Sequence, residues 1–318
     1  MRFGNVALVG RTNVGKSTFL NAALGEPLAI TSPLPQTTRD TLLGVVHLED
    51  AQIAFIDTPG LHRPRHELGR RMNAAALDAA RSADLVVLMT DTQVLEQEDS
   101  MLPPGARGKD RSGIPAGDRE ALDLVPADVP VLLVINKVDK LKQKHLLLPT
   151  ISAFSAVRQF AAVVPTCMRR PADVERVLRE VATNLPDGPA GYDDETLTNR
   201  PTHFFVREYV REQVMLQTGR EIPHAVAVSV DEMSDRGDLA LIKATVHVEK
   251  VGQRKIVVGT GGHQIRDIGR AARERIEQLL QKRVHLELFV RVTPRWKNIP
   301  RQLTELGYDP TNNKPEAT

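Results

Sequence analysis

The sequence predicts an α/β domain with a mainly parallel sheet, followed by a smaller α+β domain. In the first half of the chain, short apolar runs alternate with longer amphipathic stretches, which is typical of βαβ units. A Pro/Gly-rich break follows at residues 185–191, and the order beyond it changes to helix, strand, strand, helix and strand. The length of 318 residues allows two cores, since a domain commonly takes about 100 to 200 residues.

The first predicted domain spans residues 1–185, and its motifs follow its strands. We predict strands at residues 5–9, 52–56, 84–89, 130–135 and 162–165. In open α/β sheets, ligands bind outside the carboxyl ends of the strands, so motifs at these ends are expected to share one site. A Pro/Gly-rich segment, residues 96–119, interrupts the pattern and is interpreted as a mobile surface insertion.

The second predicted domain spans residues 202–308, after a linker at residues 186–201 and before a polar tail at residues 309–318. Apolar periodicity predicts helices at residues 202–217 and 264–281 and strands at residues 225–230, 239–249 and 284–292. A short helix is predicted near residues 299–306. These elements make a small α+β domain.

The composition excludes several classes of protein. Hydrophobic residues make up 41% and charged residues 26%, which excludes a largely disordered or fibrous chain. Cys167 is the only cysteine, so no intrachain disulfide can form, and we expect a cytoplasmic protein. No apolar segment approaches the roughly 20 residues that cross a bilayer.

The net charge of +2 hides an uneven distribution. Between Arg254 and Arg301 there are 12 Lys or Arg against 4 Asp or Glu, a net +8, so the other residues sum to −6. This asymmetry favours a polyanion-binding segment near the C-terminus. A solvated helix face is the alternative, and charge alone leaves both open.

A phosphate-binding motif lies between the first predicted strand and a predicted helix at residues 16–24. It reads Gly10-Arg11-Thr12-Asn13-Val14-Gly15-Lys16-Ser17. In such a loop, backbone N–H groups, a helix N-terminus and the lysine ammonium converge on phosphate oxygens, and the Ser hydroxyl binds Mg²⁺. The motif does not choose between ATP and GTP. The residues that we predict to hold the phosphates are Asn13, Gly15, Lys16, Ser17 and Thr18.

A second motif, Asn136-Lys137-Val138-Asp139, follows the predicted strand at residues 130–135 and favours guanine. The carboxylate of Asp139 can accept hydrogen bonds from both N1–H and the 2-amino group of guanine. Adenine offers neither donor. The motif therefore predicts a guanine nucleotide, with Asn136, Lys137 and Asp139 at the base.

A third motif, Asp57-Thr58-Pro59-Gly60, ends the predicted strand at residues 52–56. Its Asp57 can hold Mg²⁺ through water, and the Gly60 N–H can face a γ-phosphate. Upstream, we choose Thr38 over Thr37 as the hydroxyl that completes the metal shell. The predicted metal ligands are Ser17, Thr38 and Asp57, and the predicted catalytic residues are Lys16, Thr38 and Gly60.

The residue after Gly60 is Leu61, where many small GTPases carry a water-orienting Gln. Leucine neither donates nor accepts a hydrogen bond, so we expect slow hydrolysis without a partner. The adjacent His62 is expected to be solvated rather than catalytic.

A glycine-rich turn, Gly259-Thr260-Gly261-Gly262, joins an apolar run at residues 256–258 to the predicted helix at residues 264–281. In KH domains, a G-x-x-G turn lets backbone N–H groups approach about four nucleotides. A glycine-rich helix entry in an ordinary α+β domain is the alternative. The residues that we predict to bind RNA are Gly259, Thr260, Gly261, Gly262, Arg266 and Arg270.

With these motifs in this order, residues 2–308 resemble the Era family of bacterial GTPases. The resemblance implies a Ras-like P-loop GTPase domain, a type II KH domain, hydrolysis of GTP to GDP, and Mg²⁺ as cofactor. It also implies binding to the 3′ region of small-subunit ribosomal RNA during small ribosomal subunit assembly. We expect a monomer. Peripheral association with the inner membrane is implied as well, although the sequence itself gives no support for it.

Three features depart from the family pattern. The family carries a Ser-Ala-Lys type loop whose backbone meets the guanine, and the matching positions here include Cys167 and Met168. The insertion at residues 96–119 has no counterpart, and Thr260 replaces a basic residue. An RNA-binding assembly protein with a weak or degenerate nucleotide pocket therefore stays open as the alternative.

Overall fold

The computed structural model describes residues 1–92, 114–141, 144–219 and 221–308. They form two compact units. The first comprises Met1–Ala29, Thr38–Arg63 and Met72–Asn199, and the second Ile30–Thr37, Pro64–Arg71 and the chain from Arg200 onward. Residues 96–113 of the predicted insertion and the predicted tail at residues 309–318 lie outside the described residues.

Within the described residues, the first unit is built on a six-stranded sheet of order β2-β3-β1-β4-β5-β6. Its strands are β1 (Arg2–Gly10), β2 (Leu42–His47), β3 (Ala51–Asp57), β4 (Leu85–Asp91), β5 (Val131–Asn136) and β6 (Ala162–Pro165). Only the β2–β3 pair is antiparallel. The described helices of this part of the chain are α1 (Lys16–Leu24), α2 (Glu67–Ser82), α3 (Ala116–Asp123), α4 (Leu147–Ser155) and α5 (Pro171–Thr183).

The central strands explain where the site can form. Strands β4 and β5 are buried along their whole length, as their continuous apolar sequences require of parallel strands with both faces covered. Strand β1 lies between β3 and β4, so the strand order reverses there. Ligands of open α/β sheets bind at such a reversal, outside the carboxyl ends of the strands. In this chain the carboxyl end of β1 is Gly10.

Two local features of the first unit differ from the sequence-based expectation. The prediction missed β2, an edge strand whose apolar run is short and interrupted by Gly44. A Cβ on Gly44 would lie 2.8 Å from Leu20 Cδ1, so the glycine lets β2 approach α1. The end of the predicted insertion is also not a surface loop, because Ile114 and Asp118 are fully buried and α3 begins at Ala116.

Most of the predicted linker, residues 186–199, belongs to the first unit. The buried Gln52 side chain donates to the Tyr192 carbonyl (2.7 Å) and accepts the N–H groups of Gly191 (2.8 Å) and Tyr192 (2.9 Å). The Val45 N–H donates to the Leu197 carbonyl (2.9 Å). The Pro/Gly composition shows only that the segment is not helical. The segment docks because the side-chain amide of Gln52, in a strand far away in the sequence, forms hydrogen bonds with the backbone of the segment.

The described part of the second unit has a three-stranded sheet of order β7-β8-β9, with β7–β8 antiparallel and β8–β9 parallel. Its strands are β7 (Ala227–Arg236), β8 (Leu239–Val248) and β9 (Arg283–Val292). The described helices are α6 (Thr202–Gln217), α7 (Ile222–Ala225), α8 (Val251–Val258), α9 (His263–Leu280) and α10 (Pro300–Glu305). The α+β class agrees with the prediction.

Helix α8 is one of two helices of this unit that the prediction missed, the other being the four-residue α7. Its β-branched residues have low helix propensity, so the run at residues 256–258 carried no helical signal. The helix start is instead fixed by Gln253, whose Oε1 accepts the N–H groups of Glu249 (2.9 Å) and Lys250 (3.0 Å). Val257 is fully buried while Ile256 is 48% exposed, so the helix buries one face only.

Helix α6 carries charged side chains into the interior of the second unit. The guanidinium of Arg211 is fully buried and donates to the Thr37 carbonyl. The carboxylate of Glu212 accepts the Thr31 N–H (3.1 Å) and pairs with Arg275 of α9. These contacts hold residues 30–37 within this unit. They also direct Arg275, which belongs to the basic segment at residues 254–301, toward Glu212 and the protein interior.

Candidate functional site

The phosphate-loop motif connects β1 to α1, as predicted. Gly10 has φ 151°, and a Cβ there would lie 2.2 Å from the Met89 carbonyl oxygen. Gly15 has φ 113°, and its Cβ would lie 2.4 Å from Asn136 Nδ2. Both positions therefore require glycine. Asn13 adopts the left-handed conformation (φ 63°) in an exposed position, and Thr18 is exposed in the first turn of α1.

Lys16 lies inside this loop rather than at its surface. Its side chain is 6% exposed, and its Nζ donates to the carbonyls of Gly10 (3.1 Å) and Arg11 (3.0 Å). Burial lowers the pKa of the Lys16 ammonium to about 8. The shift from 10.5 corresponds to a cost of about 3 kcal/mol for holding the charge there. An anion in the loop would offset this cost.

Three oxygen atoms meet beside Lys16. Ser17 Oγ lies 2.8 Å from Thr38 Oγ1 and donates to Asp57 Oδ2 at 2.6 Å, while Thr38 Oγ1 lies 3.4 Å from the same carboxylate oxygen. Asp57 is fully buried, and burial raises the pKa of its carboxyl. Its Oδ1 is also buried and has no hydrogen-bond partner. Hydroxyl and carboxylate oxygens are ligands that Mg²⁺ accepts, so this group fits a metal held jointly with phosphates.

The hydroxyl of Thr37 is directed elsewhere. Its Oγ1 donates to the Leu34 carbonyl at 2.8 Å, whereas Thr38 faces Ser17 and Asp57. The geometry thus favours Thr38 as the metal ligand, which is the choice made from the sequence.

Gly60 lies against the phosphate loop. A Cβ there would meet Thr12 Cα at 2.7 Å, and the next residue, Leu61, donates its N–H to the Gly10 carbonyl (3.2 Å). The Leu61 side chain is 7% exposed and packs in the core of the first unit. His62 was expected to be solvated but is half-buried, with Nδ1 3.1 Å from the Gly60 carbonyl oxygen. Its Nε2 is buried and has no hydrogen-bond partner.

The base-recognition motif follows β5. The buried Asn136 donates from Nδ2 to the Val14 carbonyl (2.8 Å), which ties this motif to the phosphate loop. Lys137, in the left-handed conformation (φ 62°), donates from Nζ to the Asn13 carbonyl (2.6 Å). Asp139 is exposed in the 3₁₀ turn Val138–Lys140. Asn136 and Lys137 therefore shape the site, while the Asp139 carboxylate is accessible to a base.

Cys167 and Met168 lie next to this motif, but their backbone groups already have partners. The Met168 N–H donates to Asn136 Oδ1 (3.1 Å), and the Cys167 N–H donates to Asp173 Oδ2 (2.7 Å). Both side chains are 5% exposed. Contact between the Met168 N–H and a guanine oxygen would require the N–H to share or exchange its bond to Asn136.

A set of charged residues that the sequence did not reveal lies on one side of the phosphate loop. Arg11 Nε donates to Asp118 Oδ1 (2.6 Å), and an Arg11 terminal nitrogen lies 3.4 Å from Asp91 Oδ1. Asp118 is fully buried and Asp91 is 7% exposed. The available signal was the position of Asp91 at the carboxyl end of a buried strand. Asp118 lies in the segment that was interpreted as an insertion.

The glycine-rich turn of the second unit connects α8 to α9. Gly259, Gly261 and Gly262 have φ values of 71°, 58° and 75°. A Cβ on Gly259 would lie 2.6 Å from Gln264 Cβ. The remaining member of the turn, Thr260, is exposed.

The arginines of α9 differ in their surroundings. Arg266 is exposed but donates to the carbonyls of Gly261 (3.0 Å) and Gly262 (3.1 Å), so its guanidinium lies over the turn. Arg270 is exposed and lies 3.6 Å from Asp267. The Arg275 guanidinium instead stacks 4.1 Å from the Tyr209 ring centroid. Arg266 and Arg270 are thus accessible next to the turn, whereas Arg275 is 22% exposed and pairs with Glu212.

Comparisons with known proteins find a match for each half of the chain. The family model for 50S ribosome-binding GTPases matches residues 5–137, and that for KH domains matches residues 221–297. GTPase Era of Geobacter metallireducens is 41% identical over 310 residues, which cover 96% of this chain and 98% of the relative. GTPase Era of Lactobacillus delbrueckii subsp. bulgaricus is 39% identical over 307 residues, 96% of each chain. The chain belongs to the Era family of GTPases.

Solved Era structures have the same fold as this Era-family GTPase. Era in complex with MgGDPNP and nucleotides 1506–1542 of 16S ribosomal RNA is 32% identical, with a TM-score of 0.86 over 97% of this chain and 99% of that one. An Aquifex aeolicus Era variant bound to GDP·AlF4⁻ is 31% identical, with the same TM-score and coverage. The predicted fold class, a P-loop GTPase domain followed by a KH domain, is confirmed.

Proposed function

We propose that this Era-family GTPase is a GTP-hydrolysing switch that binds the 3′ region of small-subunit ribosomal RNA and assists small ribosomal subunit assembly. The observation that carries the proposal is the meeting of Ser17, Thr38 and Asp57 oxygens beside the buried Lys16 ammonium. The solved Era complex with MgGDPNP and 16S ribosomal RNA supports the choice of ligands.

In this proposal, the residues around the loop divide into three groups. The phosphates are bound by Asn13, Gly15, Lys16, Ser17 and Thr18. Ser17, Thr38 and Asp57 would hold Mg²⁺, which when bound neutralises charge on the β and γ phosphates. The guanine is read by Asp139, in a frame made by Asn136 and Lys137 and closed by Cys167 and Met168.

Hydrolysis by this chain is proposed to be slow without a partner. The Leu61 side chain is buried in the core and carries no polar atom, so it does not orient water. The groups that remain are the Lys16 ammonium and the Gly60 N–H, which stabilise negative charge but do not remove a proton from water. A reordered switch loop or a partner is therefore needed to position the attacking water.

The low pKa of Lys16 predicts a pH dependence of nucleotide binding. Phosphate favours the protonated ammonium, so the pKa of Lys16 rises on binding, and above pH 8 the free protein must first take up a proton. We expect the affinity for GDP to be constant below about pH 8 and to fall about tenfold between pH 7 and pH 9. Fluorescent-GDP titration at fixed ionic strength measures it. Lys16→Arg should bind GDP weakly, with an affinity that does not fall over this pH range. A wild-type affinity that is constant from pH 7 to pH 9 would contradict the low pKa of Lys16.

The turn at residues 259–262 predicts an effect of charge on RNA binding. Gly261→Asp is expected to weaken binding of a single-stranded RNA with the 3′-terminal sequence of small-subunit ribosomal RNA by about tenfold or more, because a carboxylate would face the phosphates. Fluorescence anisotropy with labelled RNA measures the change.

Gly237→Asp is the matched control, since Gly237 also has a positive φ (72°) and lies in the β7–β8 turn of the same unit. This variant adds the same charge and comparable backbone strain away from the G-x-x-G turn. Equal loss of RNA affinity in both variants would contradict a specific role for the turn.

Binding of the same RNA with a GTP analogue and with GDP tests the switch. Different RNA affinities in the two states are expected, together with hydrolysis of GTP and not of ATP. If no GTP binding were detected at millimolar nucleotide, the switch would be excluded, and the alternative of an RNA-binding assembly protein with a degenerate pocket would stand. The hydrogen bond from Asn136 to the Val14 carbonyl, which joins the base motif to the phosphate loop, favours an intact pocket and hence the switch.

Two finer inferences depend on the family resemblance alone. We infer a monomer and peripheral association with the inner membrane. No helix in the described part of the chain combines the length and apolar character that a membrane crossing needs.

A further inference from the structure

Four charged side chains form a continuous ion-pair chain along one side of the phosphate loop: Asp118, Arg11, Asp91 and Lys137. Arg11 bridges the two carboxylates, at 2.6 Å from Asp118 Oδ1 and 3.4 Å from Asp91 Oδ1. The other oxygen of Asp91 accepts from Lys137 Nζ at 2.5 Å. The other oxygen of Asp118 accepts the Thr90 hydroxyl at 2.6 Å. Each carboxylate thus uses both of its oxygens.

The burial of this ion-pair chain is unusual for charges that only stabilise a fold. Asp118 is fully buried, and the side chains of Asp91 and Arg11 are 7% and 20% exposed. Buried ion pairs recover little more than their desolvation cost, and apolar residues of similar size often give equal or greater stability. Their directional bonds, by contrast, fix geometry. The role of this ion-pair chain is therefore indicated by the groups whose geometry it fixes.

Both ends of the ion-pair chain act on the phosphate loop. At one end, Lys137 Nζ also donates to the Asn13 carbonyl (2.6 Å). At the other, the Arg11 side chain is held by Asp118, while the Arg11 carbonyl accepts the Lys16 ammonium (3.0 Å). A Cβ on Gly117 would lie 2.8 Å from Arg11 Cδ, so α3 packs closely against this arginine. The loop between Gly10 and Gly15 is thus held at two of its residues, Arg11 and Asn13.

We propose that Asp118 and Asp91 are positioning residues, which hold the phosphate loop in its nucleotide-binding shape through Arg11 and Lys137. This inference rests on the proposed GTP site and adds residues that none of its sequence motifs contains. The loop surrounds phosphates that GDP and GTP share, so loosening it weakens both nucleotides equally. Thr38, Asp57 and Gly60 lie on other segments, whereas Lys16 and Ser17 follow the loop in the first turn of α1, so turnover of bound GTP changes less than nucleotide affinity.

Asp118→Asn tests the proposal because it keeps the size of the side chain and removes the charge facing Arg11. We expect the Kd values for fluorescent GDP and for a fluorescent non-hydrolysable GTP analogue to rise together by about tenfold. We expect kcat at saturating GTP to fall by a smaller factor than the Kd values rise. Asp123→Asn is the control, since Asp123 ends the same helix, is exposed and pairs with Arg119.

Asp91→Asn and Arg11→Lys provide independent tests if Asp118→Asn fails to fold. Asp91→Asn interrupts the ion-pair chain at its centre, and Arg11→Lys keeps the charge but loses the planar fork that reaches two carboxylates. Both are expected to raise the two Kd values in parallel. Urea unfolding of the nucleotide-free proteins gives the stability change separately.

Variants that lose stability but bind GDP like wild type would show a purely structural role and overturn the proposal. A fall in kcat with unchanged Kd values would overturn it as well. Failure of the wild-type protein to bind GTP would instead overturn the proposed function, so the two failures are distinguishable.

Discussion

Replacing Lys16 with alanine is expected to lower the rate of GTP hydrolysis at saturating GTP by about a thousandfold. The ammonium lies inside the loop, 3.1 Å from the Gly10 carbonyl oxygen and 3.0 Å from that of Arg11, where an anion would replace these contacts. Alanine leaves the backbone N–H groups but removes a full positive charge from a buried position, where electrostatic stabilisation is strongest. Phosphate release under single-turnover conditions measures the loss.

The stability of Lys16→Ala distinguishes a loss of catalysis from misfolding of the variant. The pKa of Lys16 is about 8 in the folded protein, against 10.5 for a lysine that is not buried, as in the unfolded chain. The charged lysine therefore destabilises the folded state below pH 8. This cost falls progressively between pH 8 and pH 10.5 and is absent above that range. At pH 7, urea unfolding of nucleotide-free Lys16→Ala should therefore give a free energy no more than about 1 kcal/mol below wild type, despite the two lost hydrogen bonds.

Lys140→Ala is the matched control, because Lys140 is exposed and directly follows the base-recognition motif, at the end of the 3₁₀ turn. Its activity should stay within about twofold of wild type. If Lys16→Ala hydrolysed GTP as fast as this control, stabilisation of the phosphates by Lys16 would be contradicted.

The parts of the site that follow strand ends could be predicted from the sequence. Gly10, Asp57 and Asn136 are the last residues of β1, β3 and β5, and each follows a run of at least four apolar residues. Parallel strands bring their carboxyl ends to one edge, so their motifs had to meet. The preference for Thr38 over Thr37, although made from the sequence, does not follow from the strand ends. It depends on side-chain direction in a loop, which only the contacts with Ser17 and Asp57 reveal.

The features that the sequence did not reveal depend on partners far apart in the chain. Arg11 and Asp118 are 107 positions apart, and Gln52 lies 140 positions from Tyr192. A buried carboxylate has no local periodic signal, and polar residues among Pro and Gly are typical of a surface loop. Burial of Asp118 becomes visible only when α3 is packed against the phosphate loop.

Asp139→Asn is expected to weaken GTP binding by about 100-fold or more and to make xanthosine triphosphate the preferred substrate. The carboxylate accepts from both N1–H and the 2-amino group of guanine, whereas the asparagine amide presents one acceptor and one donor. Xanthine keeps N1–H and replaces the amino group with an oxygen, so its edge matches the amide. Competition between the two nucleotides for the fluorescent-GDP site, followed by phosphate release with each, measures the change.

The position of Asp139 explains why this variant should retain the rest of the site. Its side chain is exposed, while the frame is held by Asn136, which donates to the Val14 carbonyl (2.8 Å) and accepts the Met168 N–H (3.1 Å). Asn136→Ala should therefore weaken both nucleotides equally, without a change of preference. Asp50→Asn makes the same charge change at an exposed turn and should leave the preference for guanine intact. An unchanged preference in Asp139→Asn would mean that another group, such as the backbone at Met168, reads the base.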